Sequence, residues 1–488
     1  MKKTLALIIV SILCLSTFGL LAPRAMAEPL PSLHTYVVWP NGHDDTADIQ
    51  NAFNAAVAHP WSTVQLEKGT YYISSQLTVN GFQGGFMGMG QGQTTIEALG
   101  NMPSPNPEYN TPSSPFWAAP PGPSNPWPAL ITFEDGSIAI SGMTITDTSP
   151  TPTQGWYWPT VDGGAWNTAL LAGIEITGLE ASATVDHVTV IGAAGDYYGY
   201  NMANAIHIEG SMLPNGWTNP EADTIMLTGT FSVTNSVFTN AETGAFGNYL
   251  TKANVAFCDN TFTAPIASPA APAEDFAVMD VSSTSVLMCG NHGTATAGFA
   301  LWAGQSIWKS GLLPSTVTIT DNDFQVYEGA NAVILQDFGT PSTLKAVVSG
   351  NVFQTPSPAG YVPTDPAGYS VIISYSLKSL VALQNTILGG GSAGVYISGG
   401  PGLVSANTIL GGYYGVFLDS ANNVQVTGNV IKNSAEYGIA VTDGSSNNLI
   451  AHNIVMNSGV YDLYWDGTGT GNVWIANQYQ TSSPPGLG

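Results

Sequence analysis

Short runs of alternating apolar and polar residues, each closing on an asparagine and resuming with an apolar residue, dominate the second half of the chain. The unit reads VALQNTI around Asn385, SANTIL around Asn407, VTGNVI around Asn429 and LIAHNIV around Asn453. Upstream it recurs at Asn351 (VVSGNVF), Asn322 (TITDNDF), Asn291 (LMCGNHG), Asn260 (AFCDNTF) and Asn235 (SVTNSVF). Successive intervals from Asn235 are 25, 31, 31, 29, 34, 22, 22 and 24 residues, and Asn477 lies 24 further on. Period-two alternation marks strands, and a repeat this short excludes helix pairs and propeller blades. It fits one rung of a parallel β-helix per repeat. Asn suits the turn because it tolerates left-handed dihedrals and because stacked amides hydrogen-bond from rung to rung.

A second strand precedes each asparagine by about ten residues, seen as GVYISG, GVFLDS, GIAVTD and DLYWDG. Alternation sends Val395/Ile397, Val416/Leu418, Ile439/Val441 and Leu463/Trp465 inward. The same register runs upstream through ILQD, LWAG, VMDV, AIHIEG, GIEITG and ITFEDG. Two outward columns result. The first is Thr132, Glu175, His207, Gly247, Val278 and Ala300; the second is Glu134, Thr177, Glu209, Tyr249, Asp280 and Trp302.

The N-terminal segment has another period. In DDTADIQNAFNAAV, Ile49, Phe53, Ala56 and Val57 recur at helical spacing, which predicts a helix over 44–58 closing the open end of the solenoid. The strand sequence VQLEKGTYYISSQLTV follows. An Asp-Asp-Thr-x-x-Ile-Gln helix followed by a strand, Gly-Thr-Tyr and another strand resembles the start of the pectin-lyase-like superfamily of right-handed β-helices. That superfamily includes pectate lyases, polygalacturonase-type hydrolases, alginate epimerases and phage tailspikes. The resemblance implies an all-β fold, a single-stranded right-handed parallel β-helix with an N-terminal helical cap, over residues 28–488. It also implies a polysaccharide substrate or ligand.

The activity motifs of that superfamily are mostly missing. Its lyases use an arginine or lysine base with calcium, and Arg24 is the chain's one arginine. Lys252 is the lysine nearest the columns. Asn291-His292-Gly293 is similar to the Gly-His-Gly of the hydrolases but falls at an asparagine turn, and neither Arg-Ile-Lys nor the epimerase Tyr-Gly-x-Asp-Pro-His signature occurs.

Charge narrows the partners. Only 9% of the 488 residues are charged, with a formal net charge of −24. Residues 1–27 read as a secretory signal: Lys2-Lys3, an apolar run from Leu5 to Ala22, and the small-x-small site Ala25-Met26-Ala27. An uncleaved anchor is the alternative; Cys14 lacks the small neighbour that lipid attachment needs. Without that segment, six lysines stand against 33 carboxylates, a net of −27. Such a surface repels phosphate backbones and anionic lipids, which excludes nucleic acid and, after signal removal, membrane as partners. The expected location is secreted or cell surface. Cys258 and Cys289 each stand two residues before a turn asparagine, so they should stack on neighbouring rungs. The reading favoured here is two small buried hydrophobes pointing into the core, with a disulfide as the alternative.

Loops locate the candidate chemistry. Rungs within 370–480 are near minimal, whereas rungs within 100–315 carry every long insertion, and long loops on a rigid scaffold carry function. The insertions include Trp156, Trp158, Tyr197 and Tyr198, aromatic residues suited to stacking on sugars. With rungs about 4.8 Å apart and alternate residues about 6.6 Å apart, Glu134, Glu175, His207, Glu209 and Asp280 form one patch. Glu209–Asp280 at about 9.6 Å and Glu175–Glu209 at about 8 Å both fit inverting glycoside hydrolysis, one carboxyl protonating the leaving oxygen and the other activating water. The sequence therefore nominates Glu175, Glu209, Asp280 and His207 as catalytic. Glu134, Tyr249, Trp302, Trp156, Trp158, Tyr197 and Tyr198 are the expected substrate contacts. A lyase or epimerase using Tyr249, His207 or Lys252 as base, and a non-catalytic glycan-binding surface protein, are the alternatives. A simple solvated outward face is the plainest of all. No cofactor is required by the sequence; Asp321-Asn322-Asp323 could take calcium, and a local turn is the commoner use of such a triplet.

Overall fold

The computed structural model describes residues 34–99, 129–147, 156–159, 165–168, 170–192, 202–212, 224–225, 227–239, 243–263, 275–282, 284–295, 297–303, 315–326, 331–337, 342–355, 362 and 370–487. Side chains are described within these spans except at 156–171, 202–204, 211–212, 224–225, 243, 246, 248–249, 275–282 and 295–303. The signal segment 1–27 and most of the long insertions thus lie outside the described residues.

Each rung contributes three strands, and each strand pairs in parallel with its equivalent one rung on. The first sheet runs from Leu77–Asn80 through 129–134, 170–178, Met202–Met212, Thr243–Thr251, Asp275–Ser282 and Ala297–Ala303 to Tyr461–Trp465. The second contains Asn254–Cys258 and Ser285–Cys289, and the third Thr261–Thr263 and His292–Ala295. Thirty-nine of the described strands join in one network, a parallel β-helix; Trp156–Pro159 and Ala165–Thr168 form a separate antiparallel pair. Two strands, Ala129–Asp147 and Leu170–Gly192, bend through all three sheets. One of their corners demands glycine: Gly178 has φ +116, and a Cβ there would lie 2.3 Å from the Asp135 carboxylate. That carboxylate accepts the backbone N–H groups of Leu179 and Glu180 at 2.7 and 3.0 Å.

Pleat parity fills the interior. Val395, Ile397, Val416, Leu418, Ile439, Val441 and Leu463 are buried as their alternation requires, and Trp465 packs against the core from its edge. Each such side chain contributes about 1.5–3 kcal/mol of burial, and the repeated rung sums this along the axis.

The asparagine ladder sits at the corner between the second and third sheets. From Asn260 through Asn291, Asn322, Asn351, Asn385, Asn407, Asn429 and Asn453 to Asn477, each Nδ2 donates to the next Oδ1 at 2.9–3.0 Å. The same Nδ2 also donates to a backbone carbonyl of the preceding rung, as Asn407 does to Ala382 at 2.9 Å. Two details depart from the expectation. The left-handed dihedral belongs to the residue before the ladder asparagine, for example Asp259 (φ 57), Ala406 (φ 54) and His452 (φ 57). Asn235 occupies that left-handed place (φ 50), so Ser236 is the ladder position there, its backbone N–H donating to Asn260 Oδ1 at 3.0 Å.

The cap helix, α1, spans Thr46–Val57. It buries Ile49, Ala52, Phe53 and Ala56; Val57, expected on that face, is 37% exposed, and Ala52 takes its place. Phe53 packs on Phe82, Phe86 and Phe133 at 4.9–5.7 Å between ring centroids. The Asp-Asp-Thr opening ties the helix to the first rung. Asp44 accepts from Thr46 and Ser74, which holds its carboxyl below the usual range, and Asp45 accepts the Tyr72 backbone N–H at 3.0 Å. Gln50 then covers the free edge of Leu77–Asn80, its amide bonding both the N–H and the carbonyl of Thr78.

The cysteines are corrected. Cys258 and Cys289 are register partners and form a disulfide. Phe257 and Met288, one residue earlier, fill the core with no exposed surface, so alternation turns both cysteines outward instead of into the core.

Candidate functional site

Parity aims Thr132, Glu134, Glu175, His207 and Glu209 out of the first sheet, because their neighbours Ile131, Phe133, Ile174, Ile176, Ile206 and Ile208 are fully buried in the core. Register then assembles them: Thr132 pairs with Glu175 and Glu175 with His207, while Glu134 pairs with Thr177 and Thr177 with Glu209. Outward does not mean solvated here. Glu175 has no exposed surface, and His207, Glu209 and Glu134 are 3%, 4% and 9% exposed. The expectation of a solvated face fails at these four positions.

Each group has a defined polar contact. Thr132 donates its hydroxyl proton to Glu175 Oε2 at 2.9 Å and accepts from Gln76 Nε2 at 2.6 Å. Gln76 is oriented in turn by the Ala129 N–H on its Oε1 at 3.3 Å. Asn80 donates to Glu134 Oε2 at 2.7 Å; burial raises the Glu134 carboxyl above its usual range, and the Asn80 bond offsets this in part. His207 Nε2 lies 3.4 Å from Glu209 Oε2. Burial pushes the His207 imidazole down to about 3, so it stays neutral across the ordinary pH range. Three rungs thus hold three carboxyls and a neutral imidazole in a desolvated cluster, where charge interactions are strengthened and proton affinities spread apart.

The next rung shifts the columns. His207 pairs with Phe246 and Glu209 with Asn248, so Gly247 backs onto Ile208 and does not continue the first column. Between Gly247–Met279 and Leu250–Val281 the register slips, leaving Asn248 and Tyr249 together opposite Asp280. This bulge, beside a glycine, displaces Tyr249 from the simple second column. Asp280 pairs with Trp302, two rungs beyond Glu209. The side chains of Tyr249, Asp280 and Trp302 are outside the described set. Trp156 and Trp158 lie on the antiparallel pair, Trp158 opposite Trp166; Tyr197 and Tyr198 lie outside the described residues.

Sequence reasoning missed Gln76, Asn80 and the bonding role of Thr132. The signal was present: Thr78 and Asn80 alternate against Leu77 and Val79, and the strand they form pairs directly with 131–134. As for calcium, the Asn322 amide oxygen is occupied by the Asn291 backbone and side-chain N–H groups at 3.0 and 2.9 Å, and Asp321 is the left-handed turn residue (φ 56). Among the described residues, no group of three or more His, Cys, Asp or Glu is placed to hold a metal. No described helix is long and apolar enough to cross a membrane.

Three parallel sheets, a helical cap and a buried asparagine ladder define a right-handed parallel β-helix. Residues 303–478 match the family model described as a right handed beta helix region. No curated protein sequence matches the chain. Among solved structures it is similar to the catalytic unit of a GH87 alpha-1,3-glucanase from Streptomyces thermodiastaticus: 14% identity, 94% of this chain and 71% of that one, TM-score 0.49. It is also similar to DFA-IIIase from Arthrobacter chlorophenolicus A6 (13%, 83% and 95%, TM-score 0.48). The Streptococcus pneumoniae surface adhesin PfbA is a third (15%, 90% and 97%, TM-score 0.43).

Proposed function

We propose that this protein is a secreted or cell-surface carbohydrate-active enzyme that hydrolyses a polysaccharide by carboxylate acid–base catalysis on the outer face of its first sheet. The observation that carries this reading is the desolvated cluster of Glu134, Glu175, His207 and Glu209 on a face where alternation alone would place solvated residues. In this reading Glu175, already an acceptor for the Thr132 hydroxyl, is the base that takes a proton from water. Glu209, on the adjacent rung beside neutral His207, is the acid that protonates the leaving oxygen. Their diagonal offset of about 8 Å suits inversion. Asp280, Tyr249 and Trp302 extend the sugar path along the same face. Calcium would serve only to bridge an acidic sugar.

One observation favours a second reading, non-catalytic glycan binding: a carboxylate with no exposed surface, Glu175, can serve simply as a structural acceptor.

The test is reducing-sugar release by the full chain on neutral and uronic polysaccharides. Glu175→Gln and Glu209→Gln should each lower turnover by roughly 10²–10⁴-fold, and Asp280→Asn, on the sugar path, should raise KM with less effect on turnover. Asp466→Asn, whose carboxylate holds Thr468 and the Asp443 N–H in a turn, should leave turnover unchanged. An unsaturated product seen by ultraviolet absorbance would replace hydrolysis with elimination. Retained glycan binding without cleavage of any substrate would favour the second reading.

A further inference from the structure

The outer face of the first sheet changes character on the short C-terminal rungs. The column that carries Glu175 and His207 continues through Ile334, Ile373, Tyr396, Phe417 and Ala440 to Tyr464. Beside it Tyr414, Tyr437 and Tyr461 form a second file. Of these, Ile373, Tyr396, Tyr414, Phe417 and Ala440, with Tyr437 and Tyr464 packed against them, make an apolar cluster separate from the core, on a surface that a solenoid normally leaves polar. The rings are ordered. Tyr396 stacks on Phe417 (5.9 Å, 18°) and Tyr437 on Tyr464 (4.2 Å, 8°), with Tyr461 nearly parallel to both of the latter.

Carboxylates are set into the same face. Asp419 accepts the Tyr396 hydroxyl at 2.5 Å, and Glu436 accepts that of Tyr414 at 3.1 Å. Burial together with these carboxylates raises the Tyr396, Tyr414 and Tyr437 hydroxyls well above their ordinary range, so they remain protonated donors. Tyr437, Tyr461 and Tyr464 are partly exposed and offer ring surface beside the buried Tyr396, Tyr414 and Phe417, and each carboxylate is an acceptor already fixed in place by a tyrosine.

We propose that this tyrosine face is a second glycan-binding surface, taking a neutral polysaccharide chain that runs along the first sheet. The mixture selects this occupant. Sugars present C–H patches alternating with hydroxyls, which match aromatic surface and oriented carboxylate acceptors. Asp419 and Glu436, in a chain of net charge −24, repel an anionic polymer. The column is continuous with the candidate catalytic face: six rungs separate His207 from Tyr396, about 29 Å at the rung spacing. The binding itself does not depend on the hydrolytic reading.

Affinity electrophoresis of the full chain tests it, with gels containing hydroxyethylcellulose, dextran, soluble starch, galactomannan or inulin, and alginate as the anionic control. At least one neutral polymer should retard the protein, and alginate should not. Tyr437→Ala/Tyr464→Ala should weaken that retardation by about tenfold, the scale of losing one or two aromatic contacts. Tyr437→Phe/Tyr464→Phe, which keeps the rings, should retain most of it and shows that the fold survives. Glu209→Gln should leave it intact, which separates this surface from the catalytic proposal. Retardation by no neutral polymer, retardation indifferent to the double alanine variant, or a double variant that only alters the oligomeric state in sedimentation would each overturn the proposal.

Discussion

Replacing Asn407 puts the ladder under direct load. Its Oδ1 accepts both the backbone N–H and the Nδ2–H of Asn385 at 2.9 Å, and its Nδ2 donates to Asn429 Oδ1 at 3.0 Å and Ala382 O at 2.9 Å. The side chain is 1% exposed. Asn407→Ala strands two buried donors of Asn385, whereas Asn429 Oδ1 keeps the backbone N–H of residue 407. At roughly 1–3 kcal/mol per stranded buried group, the cost is about 2–6 kcal/mol. Asn407→Asp keeps the shape and the acceptors but loses both donations and buries a carboxyl against two oxygens. Desolvation should raise that carboxyl in the folded state above its unfolded value of about 3.9. The folded state then binds the extra proton, so the variant is most stable at acid pH. It loses about 1.4 kcal/mol per unit as pH rises from the unfolded to the folded pKa. Urea unfolding at several pH values, with hydrogen exchange read on 379–410, measures both effects; the exchange read matters because solenoids need not unfold in one step. A cost under about 1 kcal/mol for Asn407→Ala, or no pH dependence for Asn407→Asp, would refute the view that the ladder is fully bonded and dry.

Three further outcomes are expected. Removing the Cys258–Cys289 disulfide, which closes a separation of 31 residues, should cost about 4 kcal/mol in urea unfolding by the loop-entropy relation; a free Cys258 or Cys289 thiol, found by alkylation and peptide mapping of the unfolded wild type, would contradict the bond. Since the folded pKa of His207 is depressed to about 3 against about 6.5 unfolded, wild-type stability should fall as pH drops through that window. The slope is about 1.4 kcal/mol per unit, and His207→Gln should remove this component; equal slopes would show that the imidazole titrates freely. Gly229→Ala should impair folding outright, because φ is +153 and the added Cβ would lie 1.5 Å from the Ala181 carbonyl oxygen; a soluble variant with wild-type melting would show that the backbone moves there.

The asparagine period made the rungs legible because a fixed polar residue in a dry corner leaves no choice of phase. The same logic failed where two candidates stood side by side: in SVTNSVF, Asn235 takes the left-handed place and Ser236 the ladder. The cysteines were misassigned by one step of parity, which Phe257 and Met288 could have settled. Tyr249 was misplaced because a bulge is set by backbone geometry at Gly247, and alternation carries no record of it. Burial of Glu175, His207 and Glu209 was hidden for a different reason: strand pattern says which way a side chain points and nothing of what lies over it. The tyrosine face was written in the outward positions between the core pairs Val395/Ile397, Val416/Leu418 and Leu463/Trp465. It goes unnoticed when those positions are assumed to be polar.

A ladder that fixes phase also makes the solenoid editable by whole units. Intervals of 22 to 34 residues between ladder asparagines all return the chain to the same corner. Thr386, Ile387 and Leu388 are matched one for one by Thr408, Ile409 and Leu410 a rung later. Excising 386–407 would therefore join Asn385 to Thr408 with each following strand still facing its proper sheet; Tyr396 would leave with the rung, and the files from Tyr414 and Phe417 onward would move one rung, about 4.8 Å, toward the buried carboxyls. The distance between the two faces behaves as a ruler graduated in rungs, adjustable by gene duplication or deletion.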